Sequence, residues 1–208
     1  MDTIKKLAIF DFDGVIVDSF AACYEIAQMN EPEITEAQYR ARFEGNINET
    51  MKEAHKDMVK VVTDYEAEYG PRILAIPPLP DVERCIRELS KKACDLVIVS
   101  SSPVCSIGNY LGKYGLAEYF TEVVGNEVHP SKVVKIRMIL ENYGVDPSNA
   151  LFVTDTLGDV QEALRVGVRT LAVGWGYNSP DTLSSGNPDL IIREPDELLG
   201  TIEAELGS

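Results

Sequence analysis

Histidine is scarce in this 208-residue chain: only His55 and His129 occur, and neither has a companion. A Ser-His-Asp or Cys-His relay therefore has little material. The four cysteines, Cys23, Cys85, Cys94 and Cys105, include no C-x-x-C pair and join no Cys/His cluster. That excludes a zinc site and predicts buried free thiols in a reducing compartment. No apolar run approaches the ~20 residues of a membrane span. The opening MDTIKKLAIF carries an acid at Asp2 and leads straight into a polar motif, which argues against a cleaved signal peptide and for a cytoplasmic protein. Positive charge is also in short supply, with 19 Lys and Arg against 34 Asp and Glu, a net charge of −15. A nucleic-acid surface is thereby excluded. The same acidity repels anions at long range, so any anion site must bring its own metal, lysine or backbone amides.

What is present is a 45% hydrophobic chain, enough for a sizeable core. Residues 6–10 are a continuous apolar run that predicts a buried strand stopping at Asp11. Residues 18–70 hold little strand pattern and predict helices at 19–29, 35–43, 47–55 and 57–69, broken near Pro32, Gly45 and Gly70. The proline-rich IPPLPD at 76–81 is a stiff return. Helix and strand then alternate: helix 81–92, strand 95–100, helix 103–113, strand 121–125, helix 131–142, strand 150–154, helix 158–166, strand 169–173, strand 189–192 and helix 195–205. Ser102-Pro103 predicts an N-cap with a first-turn proline, Ser131 a second N-cap, and Gly144 a helix stop. This alternation predicts an α/β fold, a Rossmann-like parallel sheet core of residues 1–17 and 78–208. An all-helical cap domain of residues 18–77 is inserted after the first strand.

Ligands of such sheets gather beyond the carboxyl ends of the strands. The residues placed there are Asp11, Asp13 and Gly14 after the first strand, Ser100 to Ser102 after 95–99, His129 and Lys132 after 121–125, and Asp155 and Asp159 after 150–153. Four carboxylates in one cleft repel one another unless a cation neutralises them. The candidate ligands are all hard oxygens, which selects Mg²⁺, with Ca²⁺ or Mn²⁺ as substitutes. A carboxylate can attack phosphorus to give an aspartyl phosphate, while a second carboxylate two residues on serves as acid and base. Metal and lysine would screen the developing charge.

Asp11-Phe12-Asp13-Gly14-Val15 with Asp18-Ser19 closely resembles the first motif of the haloacid dehalogenase superfamily. Val97-Ile98-Val99-Ser100 resembles its second motif and Asp155-Thr156-Leu157-Gly158-Asp159 its fourth, in the D-x-x-x-D form. The resemblance spans nearly the whole chain. It implies that Asp11 is nucleophile and metal ligand. Asp13 is then acid, base and carbonyl donor to the metal, Ser100 binds a phosphoryl oxygen, and Asp155 and Asp159 hold Mg²⁺. The insertion resembles the type-one helical cap of this family. The third motif departs from the Lys-Pro-x-Pro of phosphoglycolate-phosphatase-like members, reading Val128-His129-Pro130-Ser131-Lys132. Lys132 is its best candidate and Lys135 the runner-up. Thr154 stands where Gly or an acid often precedes the fourth motif. Val173-Gly174-Trp175-Gly176-Tyr177-Asn178 is similar to a loop of the same branch.

The cap should select the substrate. Arg42 at the end of one predicted helix and Gly45 and Asn46 before the next are, with Gly14 and Ser101, the expected substrate contacts. Arg42 suits a second anionic group. Lys52, Lys56 and Lys60 line one helix face, as solvated charge. The resemblance implies a Mg²⁺-dependent phosphatase acting on a small phosphorylated metabolite, as monomer or homodimer, with no nucleic-acid or membrane partner. Asp13 argues against dehalogenation and against phosphonate hydrolysis. A sugar phosphomutase is the enzymatic alternative, and a non-catalytic phosphate-binding or regulatory protein is the other.

Overall fold

A computed structural model describes residues 5–54 and 64–207, with backbone alone for 51–54. Six parallel strands form one sheet in the order β3-β2-β1-β4-β5-β6. These are β1 (Leu7–Phe10), β2 (Asp95–Val99), β3 (Glu122–Val124), β4 (Ala150–Thr154), β5 (Arg169–Val173) and β6 (Leu190–Ile192). The order reverses between β1 and β4, which pair in register from Leu7↔Ala150 to Phe10↔Val153. A crevice opens at such a reversal because consecutive crossovers leave to opposite faces. The expected α/β class and Rossmann-like sheet are both present.

Strand residues are apolar on both sides because helices cover both faces. Leu7, Ile9, Val97, Val99 and Phe152 pack with Ile136 and Ile139 of α7 (Lys132–Tyr143). The alternate set, Ala8, Phe10, Leu96, Ile98, Leu151 and Val153, packs with α5 (Pro80–Leu89), α6 (Val104–Tyr114) and α10 (Leu198–Leu206). Beside β5 lie α8 (Leu157–Leu164) and α9 (Pro180–Ser184).

Between β1 and α5 run α1 (Phe20–Asn30), α2 (Glu36–Ala41), α3 (Ile47–Ala54) and α4 (Tyr65–Leu74). The inserted stretch returns to where it left, since the Leu79 N–H bonds the Ile16 carbonyl at 3.4 Å. Cys23, Ile26, Tyr69 and Ile73 from its helices join the core cluster of the sheet's α5 face.

Several expectations need correction. Gly70-Pro71 does not end a helix: α4 runs through it to Leu74. A proline costs one backbone bond there, but Tyr69 and Ile73 on either side are fully buried, and that packing holds the turn. Residues 57–63 of the predicted helix, His55, Lys56 and Lys60 fall outside the described residues, as does the side chain of Lys52. Ser102 does not cap α6, whose N-cap position is Pro103. The Glu127 carboxylate accepts from the Val104 N–H instead, at 3.0 and 3.2 Å. Ser131 does cap α7 and Gly144 ends it at φ +63°. Helix α9 was not expected. The thiols are all free, but only Cys23 and Cys85 are buried; Cys94 is half-buried and Cys105 exposed. Among the described residues no helix is long and apolar enough to cross a membrane.

Removing the Glu127 cap leaves an amide of α6 without its partner. Glu127→Ala should lower stability by about 1 kcal/mol, read as an earlier midpoint in urea unfolding at unchanged slope.

Candidate active site

At the carboxyl ends of β1, β2 and β4 a cavity of about 310 Å³ is lined by Asp11, Asp13, Ser100, Ser101, Ser102, Lys132 and Asp159 from the core. The inserted stretch contributes Tyr39, Phe43, Gly45, Ile47, Asn48, Tyr65 and Glu66.

Asp11 extends β1 by one ladder bond, its N–H to the Val153 carbonyl at 2.9 Å, so its position is inherited from the sheet. Its carboxylate accepts the Phe12 N–H at 2.7 Å and the Lys132 ammonium at 2.6 Å. Lys132 stands at the first position of α7 and donates equally to Asp159, again at 2.6 Å. Lys132, not Lys135, is therefore the lysine at the carboxylates. Lys135 lies one turn deeper and donates to the Ser100 and Gly125 carbonyls. Burial, reinforced by Lys132, pulls its ammonium down to about 8.

Thr154 has a use here. Its hydroxyl donates to Asp159 at 2.9 Å, and Thr156 caps α8 by accepting the Asp159 N–H. Asp159 is thus held by Lys132, Thr154 and the helix start. Burial raises the Asp159 carboxyl, but Lys132 and these bonds outweigh it and hold it below its usual range. For Asp11, burial dominates over the lysine, and the neighbouring Asp159 and Asp155 add to it, so its carboxyl sits well above its usual range. Lys132 is pushed upward, because the two carboxylates overcome its burial.

Asp155 is fully buried. One oxygen accepts the Tyr177 N–H at 2.7 Å; the other has no hydrogen-bond partner. Burial raises this carboxyl to about 7. A buried unpaired carboxylate oxygen is costly unless a cation or donor meets it. The backbone crowds around the other, paired oxygen. A Cβ on Gly14, whose φ is +73°, would lie 1.9 Å from that carboxylate's Oδ2, and one on Gly176 2.2 Å from it. Among the described residues no three acidic, His or Cys side chains are grouped to hold a metal, and Lys132 lies between Asp11 and Asp159.

Asp13 is held from two sides. The Tyr69 hydroxyl of α4 lies 2.9 and 2.8 Å from its two oxygens, and the Ser102 hydroxyl donates to Oδ2 at 2.5 Å. Ser100 is buried, and its Oγ accepts the Ser102 N–H at 3.0 Å, leaving its own proton free to donate into the cavity.

The expected contacts from the inserted stretch divide. Gly45 lines the cavity, and its carbonyl lies so near Gly158 that a Cβ there would approach to 2.1 Å. Arg42 does not line it; its guanidinium pairs with Glu31 at a separate depression. Asn46 does not line it either. Its side-chain oxygen accepts from Asn48 and Glu49 N–H at the start of α3, and its amide donates to Glu162. Both are corrections: a nearer partner satisfies each polar group. His129 is local, its Nδ1 accepting the Ser131 N–H. Tyr69 and Tyr177, the partners of Asp13 and Asp155, were missed, and Ser102, placed at this edge by the sequence, was expected only to cap a helix. Tyr177 had a signal, two glycines flanking an aromatic directly after a strand; Tyr69 had none.

The sequence profile described as haloacid dehalogenase-like hydrolase matches residues 8–173. A phosphoglycolate phosphatase from Vibrio parahaemolyticus is 24% identical, covering 95% of this chain and 96% of its own. One from Synechococcus elongatus is 26% identical, covering 93% and 95%. In structure, a haloacid dehalogenase-like family hydrolase from Streptococcus pneumoniae superposes with TM-score 0.78 at 21% identity, over 97% of this chain and all of that one. A candidate β-phosphoglucomutase from Thermotoga maritima gives 0.69 at 19%, over 96% and 99%.

The Asp155 carboxyl is raised in the folded state, so the folded protein holds a proton there that the unfolded chain has released. Its contribution to stability is present at low pH and is lost as pH rises through about 7. In EDTA, stability at pH 8 relative to pH 5 should be lower in the native protein than in Asp155→Asn, measured by urea unfolding at both pH values.

Proposed function

The chain belongs to the haloacid dehalogenase-like hydrolase family, and from that premise we propose that it is a Mg²⁺-dependent phosphatase. Its substrate is a small phosphorylated metabolite, handled through an aspartyl phosphate on Asp11. The observation that carries the reading is the Asp11–Lys132–Asp159 chain at the floor of the cavity, with Asp155 beside it. The cavity's volume, about 310 Å³, suits a metabolite rather than a macromolecule. The relatives' phosphoglycolate phosphatase activity supports a phosphomonoester as the reacting group. Four free thiols suit a cytoplasmic setting.

Asp11 attacks phosphorus as the bond to the leaving alcohol breaks, and the carboxyl proton of Asp13 passes to the departing oxygen. Water then attacks phosphorus and yields a proton to the Asp13 carboxylate. The Asp11–phosphorus bond breaks, giving inorganic phosphate and the original carboxylate. Ser100 donates to a phosphoryl oxygen, and Lys132 balances charge on Asp11 and the phosphoryl group. Asp11, Asp155, Asp159 and the Asp13 carbonyl would hold Mg²⁺. The unpaired buried oxygen of Asp155 and the all-oxygen donor set fit a hard cation. When bound, Mg²⁺ supplies positive charge that screens carboxylates and phosphate from each other. Residues 18–77 act as a cap that excludes water; Gly45 and the aromatic side chains Tyr39, Phe43 and Tyr65 form its inner wall.

Hydrolysis of p-nitrophenyl phosphate with Mg²⁺ should vanish in EDTA and fall at least about 10³-fold in Asp11→Asn. Release of inorganic phosphate from a metabolite panel then separates hydrolysis from phosphoryl return to a second hydroxyl. Turnover surviving Asp11→Asn would sink the assignment.

A further inference from the structure

We infer that Tyr69 is a positioning residue for proton transfer: its phenol, carried on the inserted stretch, fixes the direction in which Asp13 presents its carboxyl group. This rests on the reading of Asp13 as acid and base. A lone aspartate after a strand is poorly aimed, because its terminal torsion is broad and roughly two-fold. Here three separate parts of the chain meet at one carboxylate. Asp13 follows β1, Ser102 follows β2, and Tyr69 comes from α4. Ser102 reaches Oδ2 at 2.5 Å, while the Tyr69 hydroxyl straddles both oxygens at 2.8 and 2.9 Å. With donors on two sides the carboxylate plane cannot turn without losing a bond.

Tyr69 is itself firmly placed. It is fully buried, its ring stacks on Tyr65 at 5.5 Å, and α4 packs on α1 and α6. The sheet alone would supply Ser102; only the inserted stretch supplies the second donor. Docking of α4 therefore completes the geometry of the acid as well as closing the cavity. A general acid must lie within about 2.6–3.2 Å of the atom it protonates, and a 1 Å misplacement can cost about 10²-fold.

The alternative is that Tyr69 is a buried phenol needing an acceptor, with no bearing on the proton. Leaving-group dependence separates the two. An alkyl alkoxide needs a proton to depart; p-nitrophenolate does not. With Tyr69→Phe, kcat for the alkyl phosphomonoester that wild type turns over fastest should fall about 10²-fold with KM changed by less than about threefold. The pre-steady-state burst of nitrophenol from p-nitrophenyl phosphate should keep its wild-type rate within about twofold, because forming the aspartyl phosphate from that ester does not require the acid. Equal losses on both substrates, a rise in KM alone, or no change would overturn the inference. Should Tyr69→Phe not fold, Ser102→Ala removes the other donor; the same leaving-group-selective loss supports the inference and a uniform loss overturns it. The wild-type response to EDTA and to Asp11→Asn judges the phosphatase reading separately.

Discussion

Lys132 is the cation on which the site depends. Its ammonium stands 2.6 Å from each of two buried carboxylates, and all three groups are nearly withdrawn from water. Removing one partner from such an arrangement typically costs about 3–5 kcal/mol, because an uncompensated charge is left behind. The fold is arranged to keep the three together. β1 delivers Asp11, the cap at Ser131 starts α7 so that Lys132 faces inward, and Thr154 and Thr156 fix Asp159. One lysine cannot balance Asp155 as well, which is left with a bare oxygen and a raised carboxyl. With Asp11, Asp155 and Asp159 ionised against Lys132 alone, the site is short of two positive charges, and that shortage is what a divalent cation would correct.

The core and the floor of the site were legible because both follow from short-range rules. Apolar runs with no polar break mark strands buried on both faces, and polar residues directly after such runs mark the sheet's carboxyl edge. Strands 150–154 and 169–173 match their predicted bounds. What failed depended on partners far away in sequence. Ser102-Pro103 and Ser179-Pro180 carry the same helix-start signal. Ser179 does cap α9, accepting the Thr182 N–H at 3.2 Å. Ser102 instead turns to Asp13, 89 residues away. The dipeptide shows where a helix begins, not where the hydroxyl points.

The inserted stretch was the least legible part, for the same reason. Its helices were foreseeable from composition, but their inner faces were not. Arg42 looked available for an anion until Glu31 was placed opposite it, and Asn46 until α3 and Glu162 claimed it. Tyr69 carried no signal in the sequence, and by burial it belongs to the core. Only its hydroxyl, aimed at Asp13 from 56 residues away, separates it from the other buried aromatics.

The hydrogen bond between Leu79 and Ile16 ties the two ends of the insertion together beyond the carboxyl end of β1. Seen from the sheet, everything between them is one loop whose closure has already been made. The entropy of such a loop grows only logarithmically with length, about 0.6 kcal/mol per doubling. Lengthening or remodelling the stretch between these two residues therefore barely burdens the strands that hold Asp11, Lys132, Asp155 and Asp159. Changes between these two residues can alter one wall of the cavity while the carboxyl edge of the sheet stays as it is.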